Sequence, residues 1–246
     1  MPSAPHRLDV ALEQRGLCRS RARARDAIMR GTVTVDGKVV TKPGTRVTYQ
    51  MTIEINDPSQ EYVSRAALKL KAGLEASGID PNGKCCLDLG ASTGGFTQLL
   101  LEKGASKVYA VDVGHDQLAP ELASDQRVIQ LDKTNATDLD SNLIPEPITL
   151  LVCDISFVSL TKVLEKPLAL CADDATAILL FKPQFEVGRE NIGKGGIVSD
   201  QTAIDQAMKR FEDFMNAQGW RDKLAIPSPI KGGDGNQEFL RVFSKS

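Results

Sequence analysis

The sequence lacks the features that would place it in a membrane or direct it to an export pathway. None of its apolar runs reaches the roughly 18 residues that a membrane span needs. The basic residues near the amino terminus are not followed by an apolar segment, so the sequence gives no sign of a secretory signal. We therefore expect a cytoplasmic protein that does not associate with membranes.

Cysteine and histidine are also scarce. The five cysteines form no Cys-x-x-Cys pair, and an odd number does not fit a complete disulfide framework. Three of them, Cys85, Cys86 and Cys153, lie in apolar runs, which predicts reduced thiols in the core. The two histidines, His6 and His115, are far apart in the chain. A zinc site or a Ser-His-Asp triad is therefore not supported, and no metal is predicted.

Charge is unevenly distributed along the chain. Residues 1–60 contain ten Lys/Arg and six Asp/Glu, whereas the remaining residues contain twenty and twenty-six. A basic segment joined to a mildly acidic one indicates that the first part binds a polyanion.

Residues 1–58 are predicted to form a small α+β domain that ends in a linker. Apolar residues at helical spacing predict helices over 7–16 and 20–31, with Ser20 as the N-cap of the second. Alternating valines flank Asp36-Gly37, a pair that is typical of a two-residue hairpin turn. The linker is predicted at 56–59, where Asn, Asp, Pro and Ser follow one another.

Residues 59–246 are predicted to form an α/β domain. After a helix over 60–77, strands alternate with helices, which is typical of a mostly parallel sheet covered on both faces. The seven predicted strands are 84–89, 107–113, 127–131, 148–154, 176–182, 223–227 and 238–244. The helices between them are predicted at 94–103, 115–123, 159–171 and 200–217. The predicted fold class is α/β and Rossmann-like, with a seven-stranded sheet.

Residues 88–97 form a glycine-rich turn between the first of these strands and a helix. Glycines let a backbone turn tightly and approach a ligand closely. The spacing is that of neither a P-loop nor a Gly-x-Gly-x-x-Gly turn. The next strand ends on Asp112, where a carboxylate can accept hydrogen bonds from both hydroxyls of a ribose. Asp88 is a candidate for an ammonium group, and Asp132 and Asn135 are candidates for an adenine edge.

The first domain carries several arginines around its second helix, where they could contact several phosphates. The ordered pattern of Arg7-Leu-Asp, Ser20-Arg21, Ala27-Ile28, Asp36-Gly37 and Lys42-Pro43 resembles the alpha-L RNA-binding domain. The resemblance covers residues 6–55 and implies binding to structured RNA. The candidate RNA-binding residues are Arg7, Arg19, Arg21, Arg23, Arg25 and Lys42.

The run Asp-Leu-Gly-Ala-Ser-Thr-Gly-Gly-Phe-Thr at 88–97 resembles the S-adenosylmethionine motif of FtsJ-like RNA methyltransferases. Together with the alpha-L pattern and the segments 181–196 and 228–239, it resembles the TlyA (haemolysin A) family of ribosomal RNA 2′-O-methyltransferases. The resemblance implies that S-adenosylmethionine is the cofactor and that ribosomal RNA or ribosomal subunits are the partners. The implied cofactor-binding residues are Asp88, Gly90, Ser92, Thr93, Gly94, Gly95, Phe96, Asp112, Asp132 and Asn135.

FtsJ-like enzymes use a Lys-Asp-Lys-Glu tetrad to methylate a ribose hydroxyl. The resemblance places this tetrad on Lys69, Asp154, Lys182 and Glu238. Lys182 is assigned the role of lowering the pKa of the 2′-hydroxyl, and Asp154 is assigned the orientation of Lys182. Lys71 competes with Lys69, but residues two apart on a helix point about 200° apart, so only one of them can enter the site.

Three functions follow from the sequence. The favoured one is methylation of a ribose 2′-hydroxyl, expected on cytidine, in ribosomal RNA. The second is an RNA-binding ribosome-assembly factor whose methyltransferase domain is inactive. The third is a haemolysin, which the absence of a membrane-binding segment disfavours. Thr137 occupies a position where many family members have an arginine, so the adenine contacts stay open.

Overall fold

The structure, a computed structural model, describes residues 5–245, which separate into two compact units between Glu61 and Tyr62. This division lies three residues after the predicted boundary at residue 58. The predicted linker belongs to the first unit, because the Asp57 carboxylate pairs with Arg30 (Nη2 to Oδ2, 2.6 Å) and Ser59 is buried. The Asn-Asp-Pro-Ser composition is typical of a linker, but it does not reveal an ion pair formed with a distant residue.

The first unit consists of two helices and two small sheets. Its elements are β1 (His6–Arg7), α1 (Leu8–Gln14), α2 (Arg21–Met29), β2 (Val33–Val35), β3 (Lys38–Val39), β4 (Arg46–Val47) and β5 (Ile53–Ile55). β2 lies between β3 and β5, and β1 pairs with β4. The Ser20 hydroxyl accepts a hydrogen bond from the Arg23 amide at 3.3 Å, as expected of an N-cap. Asp36 and Gly37 both have positive φ, as a two-residue hairpin turn requires.

The second unit is built on a seven-stranded sheet, which confirms the predicted α/β fold class. Its strands are β6 (Cys85–Leu89), β7 (Lys107–Val111), β8 (Val128–Leu131), β9 (Ile148–Cys153), β10 (Cys171–Phe181), β11 (Trp220–Pro227) and β12 (Phe239–Lys245). Its α-helices are α3 (Ala67–Ser77), α4 (Gly95–Glu102), α5 (Pro120–Ala123), α6 (Glu165–Ala169), α7 (Pro183–Glu186) and α8 (Gln201–Ala217). β10 and β11 begin earlier than predicted, at Cys171 and Trp220.

Three predicted helices are shorter than the sequence indicated. The helix predicted over 60–77 begins only at Ala67, because side chains bind the preceding backbone: Gln98 Oε1 accepts from the Val63 amide, and the Ser64 hydroxyl from the Ala66 amide. The helix predicted over 115–123 is reduced to α5, which starts at Pro120. The one predicted over 159–171 divides into a 3₁₀ turn at Leu160–Lys162 and α6.

The strand order is β11-β12-β10-β9-β6-β7-β8, and β12 alone runs in the direction opposite to the other six strands. β6 pairs in parallel with both β7 and β9. The chain leaves β6 toward β7 and later returns on the other side of β6 to form β9. In an open α/β sheet such a reversal leaves a crevice at the carboxyl ends of the strands, where ligands bind.

Apolar residues fill both faces of this sheet. Leu87 and Leu89 of β6 pack in the core beneath α6 and α8, whereas Cys86 packs in the core beneath α3 and α4. Such alternation follows from the two-residue period of a strand. Cys86 and Cys153 are buried and Cys85 is half-buried, all as free thiols, as predicted. No helix within residues 5–245 is long and apolar enough to span a membrane.

Candidate active site

Four charged side chains meet at the carboxyl ends of β9 and β10. The Lys182 ammonium lies 2.6 Å from Asp154 Oδ1, and Lys69 Nζ lies 3.5 Å from the other oxygen, Asp154 Oδ2. Lys69 Nζ also lies 2.6 Å from Glu238 Oε2. The structure thus brings the four predicted tetrad residues together in one alternating row, Glu238, Lys69, Asp154 and Lys182, which we call the ionic row.

The ionic row is almost completely buried. Lys69, Lys182 and Glu238 are each less than a tenth exposed, and Asp154 is half-buried. Buried charges are tolerated when each is paired, and two ammonium groups with two carboxylates leave no net charge. Lys71 lies on another side of α3 and takes no part in the row, so Lys69 is the lysine that enters the site.

The ionic row lies in the wall of a cavity of about 440 Å³, which we call the acceptor cavity. Its lining also includes Gly95, Phe96, Ser156, Phe157, Gln184 and Phe185. The Lys182 ammonium donates a hydrogen bond to the Ser156 hydroxyl at 2.7 Å. Phe157 is 90% exposed and has a φ of 71°, which is unusual for a residue other than glycine.

A second cavity of about 370 Å³ adjoins the first, and we call it the donor cavity. The two cavities share five lining residues: Gly90, Ser92, Asp154, Ser156 and Phe157. Asp112 lies in the donor cavity, where its two oxygens accept hydrogen bonds from the backbone amides of Ser92 (2.8 Å) and Gly114 (2.7 Å). A carboxylate oxygen has more than one acceptor position, so Asp112 can accept further hydrogen bonds from a ligand.

Two glycines of the turn at 88–97 are required by close backbone contacts. A Cβ at Gly90, where φ is +80°, would lie 2.9 Å from the Asp154 carbonyl oxygen. A Cβ at Gly95 would lie 3.1 Å from the carbonyl oxygen of Ser64. At Gly90 the turn therefore packs directly against the loop that carries Asp154, whereas the predicted close approach to a ligand stays a prediction.

The other predicted cofactor residues occupy different positions. Gly90, Ser92, Asp112 and Asn135 line the donor cavity, and Gly95 and Phe96 line the acceptor cavity. Thr93 and Gly94 line neither cavity.

Asp88 is fully buried beneath the turn and lines neither cavity. Its Oδ2 accepts a hydrogen bond from the Thr97 hydroxyl at 2.7 Å, while Oδ1 has no partner among residues 5–245. Burial raises the pKa of Asp88 to about 7. In the structure Asp88 is therefore a buried support for the turn, and a direct contact with an ammonium group stays a prediction.

Asp132 is held away from the donor cavity. Its Oδ2 accepts a hydrogen bond from the Asp116 amide at 2.8 Å and lies 3.2 Å from His115 Nδ1. The Asp116 amide in particular holds the pKa of Asp132 below its ordinary value. The predicted contact of Asp132 with adenine is therefore not reflected in the cavity lining, which at this end contains Gln117, Thr134 and Asn135.

Three residues that line the cavities were not among the predicted site residues. Ser156 contacts Lys182, Phe157 lies at the mouth of both cavities, and Gln184 lines the acceptor cavity. Ser156 and Phe157 come shortly after the buried strand predicted at 148–154, and that position was the available signal. Phe157 is an aromatic residue in a loop, where burial in the core is not expected.

The first unit carries the predicted RNA-binding residues, and several of them are engaged in its own fold. Arg7 Nε and Arg21 Nε each lie 3.0 Å from an oxygen of Asp9, which is buried. Their hydrogen bonds, above all those from Arg7, lower the pKa of Asp9 to about 2. Arg23 donates a hydrogen bond to the Ser59 carbonyl at 2.6 Å.

Three predicted RNA-binding residues, Arg19, Arg25 and Lys42, are exposed. Among residues 5–245, no ion pair engages Arg25 or Lys42. Arg7 and Arg21 also keep about half of their side-chain surface exposed, at 43% and 50%. The surface of this unit is therefore basic even where the arginines form ion pairs.

Comparison with protein families supports both units. Residues 62–245 match the model of the FtsJ-like methyltransferases, and residues 6–53 match the S4 domain, the RNA-binding domain that the sequence pattern indicated under the name alpha-L.

Similar proteins extend over nearly the whole chain. The 16S/23S rRNA (cytidine-2′-O)-methyltransferase TlyA of Mycobacterium tuberculosis is 42% identical over 95% of this chain and 88% of its own length. Hemolysin A of Brachyspira hyodysenteriae is 38% identical over 96% of this chain and 99% of its own. A solved Streptococcus thermophilus structure, provisionally described as a hemolysin, is 34% identical with a TM-score of 0.78, over 99% of this chain and 89% of its own. The chain belongs to the TlyA (haemolysin A) family of FtsJ-like methyltransferases that carry an amino-terminal S4 domain.

Proposed function

We propose that the protein methylates the ribose 2′-hydroxyl of a cytidine in ribosomal RNA and that S-adenosylmethionine is the methyl donor. The observation that carries this proposal is the ionic row, which lies in the wall of the acceptor cavity directly beside the donor cavity. A methyltransferase needs two adjoining sites, one for the donor and one for the nucleophile. Relatives described as rRNA (cytidine-2′-O)-methyltransferases support the choice of nucleotide and of RNA.

The residues of the donor cavity fit an adenosine. Its walls include the apolar side chains of Val113, Ala136 and Val163, which suit an aromatic base. Asp112 can accept hydrogen bonds from ribose hydroxyls, and Gly90 lines the same cavity. Bound S-adenosylmethionine would supply an electrophilic methyl group. Asn135 and Gln117 are the polar side chains available for an adenine edge.

Lys182 activates the nucleophile. A ribose 2′-hydroxyl is a weak nucleophile, and a fixed ammonium beside it stabilises the negative charge that develops on its oxygen. Asp154 Oδ1 and the Ser156 hydroxyl hold the Lys182 ammonium in place on two sides. Asp154 Oδ2 is the more loosely paired oxygen, at 3.5 Å from Lys69, and is the acceptor that we assign to the hydroxyl proton.

Lys69 and Glu238 position the acceptor ribose and balance the charge of the row. Glu238 is 2% exposed and pairs with Lys69, so Lys69 is held between two carboxylates. Such a fixed arrangement contributes to the rate because the reacting groups lose no further freedom on reaching the transition state.

Phe157 and Phe185 accommodate the base of the acceptor nucleotide. Both line the acceptor cavity, and their ring centroids lie 5.4 Å apart with an interplanar angle of 50°. An exposed aromatic ring is a stacking surface for an unpaired base. The acceptor cytidine is therefore unstacked from its helix before transfer. The basic surface of the S4 domain supplies contacts with the phosphates of the same RNA.

The test is methyl transfer from labelled S-adenosylmethionine to isolated ribosomal subunits, followed by location of the labelled nucleotide. We expect label on a cytidine ribose, and we expect none with the Asp154→Ala variant. If the unaltered protein binds both S-adenosylmethionine and RNA but transfers no label, the proposal is wrong and the assembly-factor hypothesis replaces it.

A further inference from the structure

The loop that follows β9, residues 154–160, is held at both of its ends by one short segment, 182–186. We call these the β9 loop and the holding segment. At the near end of the loop, Lys182 contacts Asp154 and Ser156 at 2.6 and 2.7 Å. At the far end, Glu186 Oε2 accepts a hydrogen bond from the Ser159 hydroxyl at 2.6 Å, and Oε1 accepts one from the Leu160 amide at 2.8 Å.

Glu186 does not line either cavity, so the chemistry assigned to the ionic row does not use it. Burial raises the pKa of its carboxyl, while the hydrogen bond from Ser159 acts in the opposite direction. Burying a carboxylate costs free energy unless its oxygens accept hydrogen bonds. Both oxygens of Glu186 accept hydrogen bonds from the β9 loop. The carboxylate therefore serves as a fastening point for that loop.

The residue between the two fastened ends needs such support. Phe157 has a φ of 71°, which lies in the left-handed region. The backbone of residues other than Gly, Asn and Asp is strained in this region. Its ring is 90% exposed, so burial contributes little to hold it there. The contact with the Phe185 ring, which belongs to the holding segment, is the one ring contact that Phe157 makes among residues 5–245. The conformation of Phe157 thus depends on fastening at both ends of the loop.

We infer that Glu186 is a positioning residue for methyl transfer: it fastens the far end of the β9 loop and thereby keeps the Phe157 ring at the mouth of the acceptor cavity. The inference rests on the proposed function, because it assigns to Phe157 the stacking of the acceptor base. It adds a residue outside both cavities to those that determine how the RNA substrate is held.

The experiment compares Glu186→Ala with Glu186→Gln in the full-length protein. Glutamine can still accept from the Leu160 amide and donate to the Ser159 hydroxyl, so we expect its kcat/KM for RNA to stay within about twofold of the unaltered protein. Alanine removes both contacts, and we expect kcat/KM for RNA to fall by up to about tenfold, the loss expected for Phe157→Ala, mainly through KM. The matched control is Glu190→Ala, because Glu190 is an exposed acid that lies four residues after Glu186. This variant should leave kcat/KM for RNA unchanged.

A double-mutant cycle with Phe157→Ala separates positioning from a general structural role. If Glu186 acts by placing the Phe157 ring, adding Glu186→Ala to Phe157→Ala should lower kcat/KM by less than about twofold further. An equal loss in both backgrounds would overturn the inference, as would full activity of a folded Glu186→Ala variant.

Hydrogen exchange provides a readout that does not depend on methyl transfer. The Leu160 amide donates to Glu186, so its exchange and that of its neighbours in the β9 loop should accelerate in Glu186→Ala and stay slow in Glu186→Gln. Unchanged exchange in Glu186→Ala would overturn the inference even if the proposed function holds. Faster exchange in a protein that transfers no methyl group would instead refute the proposed function and leave Glu186 as the fastening point of the loop.

Discussion

Replacing Lys182 by methionine tests the ionic row most directly, because methionine keeps much of the side-chain length and removes the charge. Lys182 is 6% exposed and lies beside Asp154 Oδ1 at 2.6 Å. Removing one partner of a buried ion pair costs about 3–5 kcal/mol of stability. Asp154 keeps Lys69 at 3.5 Å and 14% of its side chain is exposed, so we expect a loss at the lower end of this range, about 3 kcal/mol.

The substitution should also impair catalysis. Loss of one fixed donor to a developing oxyanion lowers kcat by about 10²–10³. Lys182 lines the acceptor cavity and not the donor cavity, so the affinity for S-adenosylmethionine should stay within about twofold of the unaltered protein. Initial rates of label transfer, calorimetric titration and urea unfolding measure the three quantities separately.

A second substitution distinguishes charge imbalance from catalysis. Lys182→Met leaves one unbalanced negative charge in the ionic row, and adding Asp154→Asn restores neutrality. We expect the double variant to regain most of the lost stability and none of the activity. Lys71→Met, on another side of α3, is the matched control and should keep full activity. The reasoning is refuted if Lys182→Met keeps more than a tenth of kcat or loses its affinity for the methyl donor.

Three further substitutions test other parts of the site. Asp88→Asn should make the free energy of unfolding less dependent on pH. Because the pKa of Asp88 is about 7 in the folded protein, the unaltered protein should lose up to about 4 kcal/mol of unfolding free energy as the pH rises from about 4 to 7. The variant, which is neutral at this position, should not show that loss. Denaturant unfolding at pH 5 and pH 8 measures this, and parallel shifts in the two proteins would contradict it. Asp112→Ala should raise the Kd for S-adenosylmethionine at least about tenfold, since a charged acceptor of ribose hydroxyls is lost; calorimetry detects the change, and an unaltered Kd would exclude the assigned role. Phe157→Ala should lower kcat/KM for RNA about tenfold, as loss of one stacked base implies, and a larger loss in methyl-donor affinity than in RNA KM would argue against stacking.

The sequence predicts the ionic row well because motif and topology agree on it. Asp154 and Lys182 follow apolar runs that read as central strands, and parallel strands bring their carboxyl ends to one edge of the sheet. Helix rotation indicated that only one of Lys69 and Lys71 can enter the site, the family motif selected Lys69, and the structure places Lys69 in the row. These inferences depend on chain order and local geometry, which a sequence contains.

Contacts between segments far apart in the chain are what the sequence could not supply. Glu186 contacts Ser159 across 27 positions, and no periodicity or turn signal joins the two. Asp132 ends up with His115 and Asp116 for a similar reason: its direction depends on how the loop after β7 folds back.

In the basic first unit, the sequence likewise predicted the net charge but not the partners of the charged side chains. A count of arginines cannot reveal that Arg7 and Arg21 both form ion pairs with the buried Asp9. These two arginines therefore stabilise the fold of the unit in addition to their predicted contacts with RNA. Helix starts were also misjudged where side chains bind the backbone, as at Ser64 before α3. Both errors arise because a pattern of residue types does not specify hydrogen-bond partners.

The shared wall of the two cavities has a consequence for inhibitor design. Gly90, Ser92 and Asp154 belong to both cavities, and Gly90 approaches the Asp154 carbonyl so closely that no side chain fits between them. A bisubstrate compound that joins an adenosine to a nucleoside therefore needs only a short linker across this wall. Such a compound would gain affinity from both sites at once. The linker length that gives the highest affinity would report the distance over which the methyl group is transferred.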